Sequence, residues 1–172
     1  MTDPIRCSTD HAGQLERIIL DRPDANLMDC EMLDAIGERI ARLAEAPGAA
    51  KLLVFEGSGA NFSLGAPIEE QMPGRVAAFL ARFHRVLWDL ERLSVPTAAI
   101  VRGQCLGAGF ELALWCGYVV CEPSARFRVT ETEVGVFPTI ATGNPSLTIA
   151  ALAFWAADNV LKDLQASRAV SQ

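Results

Sequence analysis

Apolar positions along the chain change their period several times, and each change marks a new element. Leu15 to Leu20 reads as a strand running into the turn at Arg22-Pro23. From Asp29 to Ala46, Met32, Leu33, Ile36, Ile40 and Leu43 recur at the spacing that places them on one face of a helix. Asp29 is a suitable N-cap, because its carboxylate can accept from first-turn N–H groups that no helical carbonyl meets, and Pro47-Gly48 stops the run. Lys51 to Glu56 is a short apolar strand, whereas Gly57 to Gly65 is too polar and glycine-rich to continue it. The pattern then predicts a second helix opening at Pro73, with Val76, Phe79, Leu80, Phe83, Leu87, Leu90 and Leu93 as its buried stripe. His84, Arg85, Asp89, Glu91 and Arg92 take mainly other positions. Val95-Pro96 ends this helix, since the residue before proline avoids the α region.

A strand over 97–102, a helix from Gly107, and strands over 118–121 and 125–129 follow in quick succession. Beyond Pro145, residues 146–169 read as one long helix with apolar side chains on more than one face, as expected of a helix packed between two bodies. Short strands alternating with helices predict an α/β chain of stacked ββα units, and 172 residues without a linker or repeat fit one domain over 1–172.

Composition narrows the partners. A net charge of −6 argues against nucleic acid and against an anionic membrane surface. No run reaches the roughly 18 apolar residues that span a bilayer, and Met-Thr-Asp-Pro lacks the basic and apolar regions of a signal peptide. Cys7, Cys30, Cys105, Cys116 and Cys121 have no metal-ligand spacing and are odd in number, which fits reduced, mainly buried thiols in a cytoplasm. The 51% hydrophobic content is high for a soluble chain and predicts apolar surface that is buried against another subunit or left exposed by the missing C-terminal segment.

The candidate chemistry lies in residues 97–117, where an apolar strand meets a glycine turn and a helix start. The N–H groups opening that helix suit a developing oxyanion, Gly107 and Gly109 allow close approach of a ligand to the backbone, and Glu111 falls in what the pattern makes the first helical turn. In that place a carboxylate also has a purely structural use, since it offsets the helix dipole. Glu131 supplies a second carboxylate ahead of the turn-like Gly135 and Pro138. Glu133 competes with it for the same role.

Three segments together resemble the crotonase (enoyl-CoA hydratase/isomerase) superfamily. They are Leu20-Asp21-Arg22-Pro23-Asp24-Ala25-Asn26, Phe55-Glu56-Gly57 through Asn61-Phe62-Ser63-Leu64-Gly65-Ala66, and the stretch from Pro96 to Pro138. The resemblance covers roughly residues 15–140. Val101 to Gly107 with Gly135-Val136-Phe137 is most similar to the branch that hydrates cyclohexa-1,5-diene-1-carbonyl-CoA.

The resemblance implies a crotonase-like spiral and an oxyanion hole made by the N–H groups of Leu64 and Ala108. It also implies Glu111 and Glu131 as the acid/base pair of a hydratase, and contact of Gly65, Ala66, Ile68 and Gly107 with the substrate, the backbone at Ala66 to Ile68 meeting the CoA adenine. No metal or redox cofactor is called for, since coenzyme A arrives as part of an acyl-CoA substrate, and assembly into trimers or hexamers is implied. The chain departs from the family pattern at Pro67 and Gly117, which stand where aspartates are usual, and it lacks the usual C-terminal helical segment. An enoyl-CoA isomerase using one glutamate, or a non-catalytic binding or assembly protein, remains as an alternative.

Overall fold

Two strands precede the first helix where the hydrophobic pattern marks one. The computed structural model describes residues 3–22 and 25–130. In it β1 (Ile5–Asp10) pairs antiparallel with β2 (Leu15–Leu20) around a turn in which His11, Ala12 and Gly13 all take positive φ. β1 has no apolar alternation to betray it, because only Ile5 is buried. Ile18 and Leu20 of β2 point into the core, and Glu16 shares their face.

Helix α1 (Cys30–Glu45) begins as the capping argument requires: the Asp29 side chain accepts from the Met32 N–H at 2.8 Å. Met32, Leu33, Ile36 and Ile40 are its buried residues. β3 (Leu52–Gly57) lies parallel to β2, and a 3-10 turn (Ile68–Gln71) leads to α2 (Val76–Arg92). The second helix therefore starts three residues later than the sequence predicts. Gly74 sits at φ +91, in the left-handed region, so Pro73-Gly74 is part of a turn and not a first helical turn. Phe79, Phe83, Val86, Leu87 and Leu90 are the buried residues of α2, which packs against α1.

The remaining elements repeat one plan. β4 (Thr97–Val101) joins β3 in parallel, β5 (Gln104–Leu106) leaves for a second sheet, and α3 (Gly107–Trp115) follows directly. Next β6 (Tyr118–Cys121) pairs parallel with β4, and β7 (Arg126–Arg128) pairs parallel with β5. The main sheet has the order β1-β2-β3-β4-β6. Ser63 makes a parallel bridge to Cys105, so the loop after β3 contributes to the second sheet in the place that β5 and β7 occupy in later turns. Each turn of chain thus adds one strand to each sheet, which is the expected spiral of ββα units. All described residues fall in the unit Met1–Thr139. The expectations of a single domain over 1–172 and of a helix over 146–169 reach outside the described residues.

Glu16 gives the fold a testable weak point. It is 2% exposed, and its Oε1 accepts from Arg39 Nε on α1 at 2.9 Å while Oε2 accepts from Thr9 Oγ1 at 3.1 Å. Deleting one partner of a buried pair leaves a desolvated charge, a cost of several kcal/mol, reduced here because Arg39 is partly in water. Arg39→Met is expected to lower unfolding free energy by roughly 2–3 kcal/mol, and Glu16→Leu added to it should recover most of that loss in a denaturant titration.

Candidate active site

The loop after β3 is strapped on both flanks. On one side the Leu64 N–H donates to the Ala25 carbonyl at 2.9 Å, and the Met28 N–H donates to the Gly65 carbonyl at 3.0 Å. On the other, Ser63 N–H donates to the Gln104 carbonyl at 3.1 Å and Leu106 N–H to the Ser63 carbonyl at 2.9 Å. Asn26, buried and with φ +46, ties the corner: its Nδ2 donates to the carbonyls of Ser58 and Asn61 at 3.0 Å each, and its Oδ1 accepts from Arg22 N–H at 3.0 Å. Asparagine tolerates this left-handed backbone better than most residues.

Gly65, at φ +92, brings the loop against the start of α3. A methyl built there would lie 3.0 Å from the Leu106 carbonyl oxygen and 3.5 Å from Gly107 Cα. A trans peptide holds its N–H opposite its C=O, so the bond from Met28 to the Gly65 carbonyl turns the Ala66 N–H away from residues 25–28. That N–H has no hydrogen-bond partner among the described residues.

Helix α3 opens at Gly107, φ +47, after an extended Leu106 that provides no side-chain cap. The N–H groups of its first residues, Ala108 among them, have no intrahelical acceptor. α3 has no polar face; residues 107–113 are all buried. Among them is Glu111, 1% exposed. Glu111 is the fifth residue of α3 and so lies in its second turn, with no acidic residue in the first. This corrects the sequence reading, and it weakens the structural use, because dipole stabilisation falls off within the first turn. Helical side chains lean toward the N-terminus, so Glu111 stacks over the turn that contains Ala108, three residues earlier.

Leu64 fails as an oxyanion donor: its N–H is already spent on Ala25. The loop instead leaves Ala66 N–H unengaged, on the far side of Gly65. Ile68 lies in the 3-10 turn at 76% exposure, outside the buried cluster around Glu111. Gly65, Gly107 and Ala108 come together; Glu131 and Glu133 lie outside the described residues. Asn26 and Ser63 stood in the quoted sequence boxes without a role, and the geometry makes both central to the loop.

Elsewhere, no group of three His, Cys, Asp or Glu among the described residues could hold a metal ion, and no helix among them is long and apolar enough to cross a membrane. The cysteines are all free but not all buried: Cys105 and Cys116 are buried, Cys30 is intermediate, and Cys7 and Cys121 are exposed. Burial pushes the Cys116 thiol up to about 12 and raises Cys105 as well. Thiolate is the reactive form. At pH 8 an alkylating reagent should therefore label exposed Cys121 first and exposed Cys7 more slowly, since desolvation raises the Cys7 thiol too, while Cys105 and Cys116 stay unmodified until denaturant is added, as peptide mass spectrometry would read.

A two-sheet ββα spiral with a buried glutamate one turn below an open helix N-terminus defines a class, and comparison with known proteins agrees. The chain belongs to the enoyl-CoA hydratase/isomerase family, the crotonases, whose family model matches residues 11–151. It is 32% identical over 141 residues to cyclohexa-1,5-dienecarbonyl-CoA hydratase of Thauera aromatica, a match covering 82% of this chain and 54% of that protein. Carnitinyl-CoA dehydratase of Proteus mirabilis is 33% identical over 131 residues, covering 73% and 49% of the two chains. Among solved structures, that of Pseudomonas aeruginosa DspI superposes with a TM-score of 0.75 at 26% identity, over 81% of this chain and 58% of that one. The chain spans about half the length of the curated relatives it matches.

Proposed function

We propose that this protein binds an α,β-unsaturated acyl-CoA thioester and adds water across its double bond, or removes it in the reverse direction. The carrying observation is the burial of Glu111 one turn below the open N–H of Ala108. The thioester oxygen would accept from the N–H groups of Ala108 and Ala66, the latter in place of Leu64, and these donors would stabilise the charge that grows on oxygen as the enolate forms. Water attacks the β carbon and a proton is delivered to the α carbon, so two proton movements need carriers. Glu111 is one. Glu131 is assigned as the other on the family resemblance; in sequence it follows Arg128, which pairs with Leu106 at the start of α3, by three residues.

Gly65 and Gly107 line the carbonyl site in this reading, with Ala66 and Ile68 toward the coenzyme. No metal or redox group takes part. The name of the Thauera relative supports a cyclic dienoyl group as the acyl portion. Association into a homo-oligomer is supported by β6, an edge strand among the described residues, on which Tyr118, Val119 and Val120 are exposed, and the free, exposed thiols of Cys7 and Cys121 support a reducing cytoplasm.

Incubation with crotonyl-CoA and with cyclohexa-1,5-diene-1-carbonyl-CoA tests the proposal. Loss of the conjugated absorbance with uptake of labelled water oxygen at the β carbon is the expected result. Migration of the double bond without oxygen uptake would make the protein an isomerase, and saturable binding without any conversion would leave it a binding protein.

A further inference from the structure

Ser63 has 0% exposure and touches every segment that builds the candidate site. Its Oγ donates to the Asn26 carbonyl at 2.7 Å and accepts from the Gly65 N–H at 3.1 Å. Its backbone is bonded to Gln104 and Leu106 in the strand that runs into α3. Against α3 itself the fit is close: a methyl built on Gly109 would lie 2.5 Å from Ser63 Cβ and 2.7 Å from its Oγ. One small hydroxyl therefore joins residues 25–28, the loop ending at Ala66, and the N-terminal turn of the helix that carries Ala108 and Glu111.

From this we infer that Ser63 is a positioning residue whose hydroxyl sets the spacing and direction of the Ala66 N–H relative to the Ala108 N–H. The inference rests on the acyl-CoA reading above. The physical route is short. The bond from Gly65 N–H to Ser63 Oγ fixes the peptide between Leu64 and Gly65, and Gly65, at φ +92, relays that orientation to the next peptide, whose N–H belongs to Ala66. Without the hydroxyl, one buried N–H and the Asn26 carbonyl both lose a partner. The first peptide then loses its tie, and the second is left held only at its carbonyl by the Met28 N–H, which fixes the side it faces but not its fine tilt toward Ala108. Ser63 touches no reacting atom, so its loss should act on the stabilisation of charge and not on holding the thioester. The space that Ser63 occupies exists because residue 109 is glycine, since a methyl there would collide with the serine side chain.

The test compares Ser63→Ala with wild type in three measurements: kcat and KM for crotonyl-CoA, the ratio of affinities for acetoacetyl-CoA as its enolate over neutral butyryl-CoA, and thermal unfolding. A misplacement of about 1 Å can cost up to a hundredfold in rate. Ser63→Ala is expected to lower kcat by about 10- to 100-fold and to reduce the enolate preference by a similar factor, with KM and butyryl-CoA affinity within about threefold. Ser63→Cys, which keeps the shape and a weak acceptor, should fall between the two and serves if the alanine variant does not fold. An unchanged enolate preference in the variants overturns the inference while leaving the acyl-CoA reading intact. A purely structural role, which also overturns it, would lower both affinities together with the melting temperature. If wild type binds neither ester, the acyl-CoA reading fails and this inference fails with it.

Discussion

Glu111→Gln is expected to lower turnover of an enoyl-CoA ester by at least about 10²-fold, the usual contribution of a general acid/base group, with ester affinity held within a few-fold. The amide keeps the size and shape of the carboxyl but cannot take up and return a proton at the working pH. Because Glu111 is buried, thermal unfolding of the variant is measured alongside, so that a loss of fold is separated from a loss of catalysis. Lost activity with retained fold and affinity is the signature of an interaction made in the transition state alone. Activity near wild type would show that Glu111 is a structural acid. Glu131→Gln should behave in the same way, and if Glu133→Gln is the damaging change instead, the second carboxylate has been assigned two residues too early.

Gly57→Ala is expected to be strongly disruptive. A Cβ at Gly57 would lie 2.2 Å from the Asn61 carbonyl oxygen and 2.6 Å from both Phe62 Cα and the Phe62 carbonyl oxygen. All three are backbone atoms, so no side chain can rotate aside, and the loop from Ser58 to Ala66 must shift as a body. Forced overpacking costs about 1–3 kcal/mol and occasionally more; here the upper end applies, or roughly 6–12 °C in melting temperature for a domain of this size. The same shift drags Ala66, so activity should fall beyond what the lost stability explains. Gly37→Ala is the contrasting case. Gly37 is inside α1, and its Cβ would meet only Val86 Cγ2 at 3.9 Å, so alanine should stabilise by about 0.5–1 kcal/mol through helix propensity. Side-by-side thermal melts of the two variants read both signs.

Much of the scaffold was legible because burial imposes a period. The stripes of α1 and α2, the Asp29 cap and the strand at Leu15–Leu20 stand in the structure where the pattern puts them. β1 was not legible: a two-stranded edge with one buried residue leaves no alternation to find. The start of α2 was misplaced because Pro at a first helical position and Pro in a turn look alike until the next residue's φ is known, and Gly74 adopts the turn value. At the site, Gly107 and Gly109 were read as room for a ligand, whereas the space at Gly109 is taken by Ser63 of the loop. Which N–H remains free was beyond local reading, since Leu64 is consumed by Ala25, 39 positions earlier in the chain. Exposure of Ile68 depends on the turn that carries it. Asn26 and Ser63 left only a faint signal, two small polar residues inside otherwise apolar boxes.

The central claim is that the thioester carbonyl sits between two backbone N–H groups at the start of α3, above Glu111. Isotope-edited infrared difference spectroscopy of carbonyl-labelled crotonyl-CoA, bound to the Glu111→Gln variant so that no turnover intervenes, reads that contact directly. The account predicts a carbonyl stretch shifted to lower frequency on binding, with the shift diminished when Ser63→Ala is added. Saturable binding with the carbonyl band at its solution frequency would contradict it.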